Sequence, residues 1–270
     1  EAARLQEAPD DGPDGLLPSW LQPHWDAMYS GLRDPAPIGR SCFVGIEGQG
    51  ALRCAKFALA FCRWTRKVLE GNLEADVPPL CLTAMAKLFS SAKIPRRGAD
   101  VLHQDAPSSN VVLISGGRIW SIDVFSDGKL LAPETLAQEM ERARRAPALP
   151  AAESLPIITA ANRDVWADER EALMSDAGNR ANLELIDRAI IVVALDKALQ
   201  EAPEAKTKIW LFGEASSRWW DKHQLILGAT GSMAVNFEPS ACDASHWCRV
   251  VEECMAEVAR EGQRTYGPLP

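Results

Sequence analysis

The chain has 270 residues, 47% of them hydrophobic and 24% charged, with a formal net charge of −8 at pH 7. This is the composition of an ordinary globular protein that is long enough to bury a core. The acidic balance argues against a general nucleic-acid binder, because no basic excess exists to neutralise phosphates. The longest apolar run, Ala189 to Leu195, is far shorter than the roughly 20 residues that span a bilayer.

Seven cysteines, an odd number, show no disulfide framework, so we expect free thiols in an intracellular, reducing compartment. Residues 1–17 are acidic and contain proline and glycine, which predicts a mobile N-terminal segment. They contain no signal-peptide core, and the first residue is not methionine, so we expect a processed or partly observed product. We expect a single lobe over residues 18–262, helical over 18–90 with a sheet-plus-helix core over 91–262, and a tail over 263–270.

Periodicity predicts the elements of the first half of the chain. They are a helix after the Pro18-Ser19 cap up to Leu32, a long amphipathic helix from Gln49 to Gly71, a short helix from Leu80 to Phe89, a loop over 90–100, two strands over 110–115 and 118–125, and a helix from Pro133 to Arg145. Gly116-Gly117 between the two strands is typical of a hairpin.

The second half combines further helices and strands. The predictions are a short buried strand over 155–160, a helix over 162–175, two strands within 219–237 turned at 229–232, and an amphipathic helix after Asp243. Residues 179–200 begin like a helix but turn strand-like at Ile190 to Val193, and propensity alone leaves that conflict open. The clustered hairpins and helices indicate an α+β fold, a mainly antiparallel or mixed sheet covered by helices.

Local motifs add little to a functional assignment. The glycines of "GIEGQG" (residues 45–50) have no phosphate-loop lysine, so a loop before a helix is the simpler reading. A zinc site is not indicated, because the spacing of Cys242, His246, Cys248 and Cys254 matches no compact motif; buried thiols and a surface histidine are expected instead. His223 is expected to be solvated. No cofactor-binding or metal-binding residues are indicated.

Several longer phrases, taken in order, resemble the carnitine/choline acyltransferase family. They are "WLQPHWDAMYSGLRDPAPI", "LFSSAKIPRRGADVL", "GGRIWSIDVFSDG", "LPIITAANRDVWADEREALM" and "RWWDKHQLILGATGSMAVNFEPSACD". The resemblance extends from Trp20 to about Glu261. It implies a chloramphenicol-acetyltransferase-like lobe and an enzyme that moves acyl groups between coenzyme A and the hydroxyl of carnitine or choline.

The resemblance also implies a catalytic pair at the end of the last strand. A histidine after a glutamate acts as general base there, and an acid four residues later orients its ring. In this sequence Glu238 and Asp243 keep the flanking positions, but Pro239 replaces the histidine. His246, seven residues further on, is an outside candidate for a substitute base. We therefore expect no intact catalytic residue. We also expect that Pro239→His alone would not restore activity. This substitution should lower the free energy of unfolding by only about 0.4–1 kcal/mol.

The family's enzymes have a second lobe, and no phrase of that lobe is found here. We therefore expect a pseudoenzyme that acts as a structural or interaction subunit of a larger assembly, binding other protein subunits through the face that would meet that lobe. No nucleic acid and no direct membrane contact are expected. The family's associations suggest a mitochondrion or plastid. Two alternatives stay open: an active acyltransferase whose second lobe is missing or supplied in trans, and a non-catalytic sensor of acyl-CoA or acyl-carnitine.

Overall fold

The computed structural model describes residues 21–72, 85, 87–105, 108–197 and 202–263. The α-helices in these ranges are α1 (Gln22–Gly31), α2 (Ala36–Gly39), α3 (Ala51–Leu69), α4 (Pro133–Arg145), α5 (Arg163–Met174), α6 (Ala177–Arg188), α7 (Pro203–Phe212) and α8 (Ala244–Gln263). The strands are β1 (Cys42–Gln49), β2 (Ser91–Ile94), β3 (Val101–Gln104), β4 (Asn110–Ser115), β5 (Arg118–Asp123), β6 (Phe125–Ser126), β7 (Lys129–Leu130), β8 (Val192–Leu195), β9 (Gln224–Leu227) and β10 (Ser232–Phe237).

Six strands form the main sheet, in the order β1-β10-β9-β8-β4-β5. Strand β8 is parallel to both β9 and β4, whereas the other neighbours are antiparallel. Gly231 makes the turn between β9 and β10 at φ +87°, and a Cβ there would lie 2.9 Å from the backbone nitrogen of Gly50. Only glycine fits this close approach. The α+β class with a mixed sheet is therefore confirmed.

Helices cover both faces of the sheet because its side chains alternate between two cores. On β4, Val111 and Leu113 face the larger core, which also contains the inner faces of α3, α4 and α8. Val112 and Ile114 face a smaller core with Trp166 and residues of α6. The interior strands β9 and β10 are therefore buried, and the chain that leaves β10 emerges beside helix α8.

Three local predictions are wrong. The glycine run 45–50 belongs mostly to strand β1, and part of the predicted loop 90–100 is strand β2, which pairs with β3. Strand β1 depends on pairing with distant residues, such as Cys42 with Phe237, whereas β2 pairs with the nearby strand β3. The predicted division into a helical part over 18–90 and a sheet-plus-helix core over 91–262 does not hold either, because β1 lies before residue 90 and belongs to the main sheet. Residues 155–160 form a 3₁₀ helix instead of a strand; Pro156 lacks the N–H that a sheet requires.

Other predictions are confirmed. Helices α3, α4, α5 and α8 and the hairpins β4–β5 and β9–β10 lie where periodicity placed them. The open conflict over 179–200 is resolved as a helix ending at Arg188 followed by strand β8. The predicted cap at Pro18-Ser19 and most of the helix from Leu80 lie outside the described residues. No helix among the described residues is both long and apolar enough to cross a bilayer.

Candidate functional site

The candidate site is the turn after strand β10, formed by Glu238, Pro239 and Ser240, which we call the Pro239 corner. All three residues are buried. Trp25 of helix α1 covers the corner: its indole Nε1 lies 3.2 Å from the carbonyl oxygen of Pro239 and 3.0 Å from that of Ser240. The two carbonyls therefore share one partly buried donor. This contact fixes helix α1 over the position where the family resemblance places the base.

The space beside Pro239 is small. The cavity that Pro239 lines has a volume of about 10 Å³, and a cavity needs roughly 10–15 Å³ to hold one water molecule. Ser240 instead lines a cleft of about 480 Å³ between α1 and the β2–β3 hairpin. Charged side chains, among them Asp26, Lys87 and Lys93, line that cleft. Room for a ligand therefore exists next to the corner, but not at the Pro239 side chain.

Glu238 stabilises the turn. Its carboxylate accepts hydrogen bonds from the backbone N–H of Ser240 at 2.9 Å and from the Ser240 hydroxyl at 2.8 Å. The Nζ of Lys93 lies 3.6 Å from the same carboxylate. Burial lowers the pKa of Lys93 to about 8, although the charge of Glu238 opposes that change. Glu238 is thus an acceptor at the centre of a buried polar cluster.

Asp243 lies just before helix α8 and its side chain is 58% exposed. Its Oδ1 accepts a hydrogen bond from the backbone N–H of Ser245 at 3.0 Å and lies 3.0 Å from Nδ1 of His246. Partial burial raises the pKa of Asp243, but the hydrogen bonds from Ser245 and His246 outweigh burial and leave this pKa below its ordinary value. These contacts stabilise the first turn of α8, and none of them involves Pro239.

His246 differs from the expected surface histidine. Its side chain is only 11% exposed, and its Nε2 has no hydrogen-bond partner among the described residues. Cys242 lies before Ala244, the first residue of α8, and so is not on the same helix as His246. Cys242 and Cys254 are buried free thiols, whereas Cys248 is exposed.

His223 is a buried histidine that contacts the Pro239 corner, and its predicted solvation is wrong. It is 3% exposed because it immediately precedes β9, an interior strand. Its Nδ1 accepts the backbone N–H of Glu238 at 3.2 Å, so the proton is on Nε2, which lies 3.4 Å from the Ser91 hydroxyl oxygen. Burial lowers the pKa of His223 to about 3. This ring is neutral, and its lone pair is already engaged.

A buried ion cluster centred on Arg163 is connected to the corner through Lys93. The guanidinium of Arg163, which is fully buried, donates from Nε to Asp100 at 2.7 Å, from Nη1 to Asp221 at 2.5 Å, and from Nη2 to the carbonyl oxygen of Lys93 at 3.0 Å. The indole of Trp166 donates to the second oxygen of Asp221 at 2.7 Å. Three of the phrases quoted above therefore meet in one structural cluster.

The buried His223 predicts a specific pH dependence of stability. Its pKa is about 3 in the folded chain and near 6.5 when exposed. As pH falls below 6.5, the unfolded chain takes up a proton that the folded chain does not, so stability falls by up to about 1.4 kcal/mol per pH unit from this group. His223→Asn keeps an acceptor for the Glu238 N–H but does not titrate. Urea unfolding should therefore show a loss between pH 6.5 and about pH 4.5 that is smaller in the variant by about 2 kcal/mol.

The control for this prediction is His103→Asn, since the His103 side chain is 45% exposed beside Asp105. Its loss of stability between pH 6.5 and about pH 4.5 should exceed that of His223→Asn, because the buried His223 remains in place. Equal slopes for His223→Asn and the wild type would contradict the assignment of a buried neutral His223.

Comparisons with known proteins decide the family. A family model described as choline/carnitine O-acyltransferase matches residues 2–267. The chain belongs to the choline/carnitine O-acyltransferase family. The resemblance drawn from the ordered phrases is thereby confirmed.

Curated relatives in this family are longer proteins. The chain is 31% identical to human carnitine O-palmitoyltransferase 1, muscle isoform, over 189 residues (66% of this chain, 24% of that protein). It is 30% identical to the rat muscle isoform over 255 residues (85% and 33%) and 31% identical to human mitochondrial carnitine O-palmitoyltransferase 2 over 176 residues (63% and 26%). The chain thus spans about a quarter to a third of the curated relatives that it matches.

Among solved structures, a chloramphenicol acetyltransferase matches with a TM-score of 0.38 and 11% identity, covering 89% of this chain and 96% of that one. The described mixed sheet with helices on it accords with the expected lobe. A TM-score of this size carries no functional argument.

The structure brings together only part of the predicted site. Glu238 and Pro239 lie in one buried turn, whereas Asp243 and His246 contact each other at the start of α8. Sequence reasoning missed Trp25 and His223 as neighbours of the corner. The position of His223 just before the continuous apolar run Leu225 to Leu227 was the available signal for its burial.

Proposed function

We propose that this chain is a non-catalytic member of the choline/carnitine O-acyltransferase family that acts as a structural or interaction subunit. The observation that carries the proposal is Pro239 itself, at the position where the family resemblance places the general base. Proline has neither a titratable group nor a backbone N–H, and loss of a positioned base costs about 10² to 10⁴ in rate. The cover that Trp25 provides over the corner supports the same conclusion.

The nearby histidines support a non-catalytic corner as well. His223 lies beside Glu238, but its Nδ1 lone pair accepts the Glu238 N–H and its ring is buried. His246 pairs with Asp243, and its remaining nitrogen is shielded from solvent within the protein. A general base must reach the proton that it removes, at about 2.6–3.2 Å or through one water. Neither ring is exposed to a ligand in that way.

An exposed apolar patch supports the interaction role. Ile38 of helix α2 is 77% exposed and Phe212 of helix α7 is 55% exposed, and the two helices contact each other. Beside them, the ring of Phe43 on edge strand β1 packs against Trp210, with centroids 5.5 Å apart. Large exposed apolar side chains that cluster are typical of a protein–protein interface. We propose this α2–α7 patch as the contact surface for another protein subunit.

A mitochondrial location is part of the proposal. It is supported by the name of one matched relative, a carnitine O-palmitoyltransferase described as mitochondrial. The assembly in question is then a mitochondrial one.

Native gel electrophoresis of a tagged chain in extracts of its own cells tests the interaction role. We expect the chain to migrate in a complex well above the mass of the monomer. The double variant Ile38→Ser with Phe212→Ser should move most of the chain to the monomer position, because it removes the apolar patch without disturbing buried residues. Loss of two such anchors typically weakens an interface by more than about 2 kcal/mol.

The matched control is Leu69→Ser with Val165→Ser, two side chains that are each 48% exposed on other helices. The control should keep the complex. Migration of the wild-type chain as a monomer, or equal loss of the complex in both double variants, would contradict the proposed surface.

A further inference from the structure

A pocket near the β5 edge of the main sheet is lined without any charged side chain. It has a volume of about 240 Å³ and lies between the β4–β5 hairpin and helices α5 and α6. Strand β4, the lining strand nearest to β10, is three positions from β10 in the sheet, which at about 4.8 Å per strand places the pocket roughly 14 Å from β10. The pocket is therefore separate from the candidate site.

The floor of the pocket is apolar. Val112, Leu183 and Ile186 are 0–4% exposed and belong to the smaller core. Leu155 and Leu173 form partly buried walls around them. A cavity of about 150 Å³ lined by such side chains is known to bind benzene. The larger volume here is sufficient for an aromatic ring or a short aliphatic chain.

The mouth of the pocket is polar but neutral. Asn179 and Asn182 of helix α6 are exposed there, and the hydroxyl of Ser121 lies on the strand side. The Ser121 hydroxyl oxygen already accepts a hydrogen bond from Asn110 at 2.9 Å, so its own proton is free to donate. Amide groups offer both donors and acceptors. The mouth therefore suits a neutral head group that both donates and accepts hydrogen bonds.

The charge of the lining distinguishes this pocket from the cleft beside Ser240, which Asp26, Lys87 and Lys93 line. A charged head group would lose hydration at the neutral mouth without gaining an ion pair. From the lining, volume and mouth together, we propose that this pocket binds one small neutral amphiphile, with an aromatic or short aliphatic body and an amide-like or hydroxyl head.

Titration with hexanamide, followed by nuclear magnetic resonance of the full chain, tests this proposal. We expect saturable 1:1 binding, with shifts at Leu183, Ile186 and Asn182. Leu173→Trp should fill the pocket and weaken binding at least about tenfold, since overpacked apolar sites lose their ligand space. Leu69→Trp, the same change at an exposed position of α3, should bind like the wild type. Hexanoate, with a charged head, should bind at least about tenfold more weakly than hexanamide.

A melting curve of each variant separates unfolding from loss of binding. If Leu173→Trp does not fold, Leu155→Phe provides a smaller obstruction, for which we expect weaker binding and a retained fold. Absence of saturation with the wild type, shifts centred on Ser240 instead of Leu183, or unchanged binding in the folded obstruction variant would overturn the proposal.

Discussion

Replacing Arg163 with leucine is expected to lower the free energy of unfolding by about 3–5 kcal/mol, because it removes the cation that bridges two buried carboxylates. Asp221 loses the guanidinium that it pairs with, whereas Asp100 keeps its ion pair with Arg33 at 3.0 Å. Asp100 and Asp221 are 4% and 1% exposed, and Arg163 contacts both of them and the backbone of Lys93. Urea unfolding at neutral pH measures the change. Arg163→Lys should retain part of the stability, since it keeps the charge but loses the fork that bridges the two carboxylates.

The control is Arg142→Leu on helix α4, where the arginine side chain is 77% exposed and pairs with Glu139 three residues earlier. We expect a change within about 0.5 kcal/mol there. If Arg163→Leu does not fold, the free energy of unfolding of Arg163→Lys still shows how much the cluster contributes to stability. Losses below about 1 kcal/mol for both Arg163 variants would show that the cluster contributes little to the fold.

Replacing Pro239 with histidine is expected to leave acyl transfer at background and to lower the free energy of unfolding by about 1–3 kcal/mol. Pro239 is buried, and the cavity beside it holds about 10 Å³. An imidazole ring therefore has no room without displacing the side chains that line this cavity, among them Arg40 and Trp220. Sequence alone gives the smaller cost of about 0.4–1 kcal/mol, because it does not reveal this burial.

Activity should not return with Pro239→His because the rest of the site is not arranged around position 239. Asp243 is engaged by Ser245 and His246, so a new ring would lack its orienting carboxylate. Orientation of the reactants contributes about 7–11 kcal/mol in the best cases, which a base alone does not supply. Paired melts and acyl-transfer assays, with Pro239→Ala as the control for loss of proline, measure both effects.

A second variant, Pro239→His with Trp25→Phe, also removes the indole donor that covers the corner. Because two carbonyls lose that donor, we expect it to be less stable than Pro239→His and still to show no carnitine-dependent thioester cleavage. Cleavage by either variant would show that a functional substrate site exists around the corner.

Local sequence signals predicted the elements that depend on local interactions. Helix α3 follows from its apolar stripe, and the β4–β5 hairpin follows from Gly116-Gly117, because both are decided within a few residues. Strand β1 was missed because its partners, such as Phe237 for Cys42, are far away in the chain. Strand β2 pairs with the nearby β3, but its four residues give only a weak alternation signal. A glycine-rich strand at a sheet edge has no local pattern that distinguishes it from a loop.

The sequence predicted those parts of the candidate site that can be read from the order of residues, but not those that depend on tertiary packing. The order of the phrases located Glu238 and Pro239, and the missing base is visible in the sequence itself. Trp25 covers the corner through a contact between residues more than 100 positions apart in the chain. His223 is buried because of the way the helices pack on the sheet. Such contacts follow from tertiary packing, which periodicity does not report.

The most direct test of the central claim is a thioester-release assay on the wild-type chain, with short-chain and long-chain acyl-CoA and with carnitine or choline as acceptor. With no base at position 239, the rate should lie at least about 10² below that of a family enzyme assayed alongside, and His246→Ala should not change it. Carnitine-dependent turnover close to that of the family enzyme, abolished by His246→Ala, would contradict the account and identify His246 as the base.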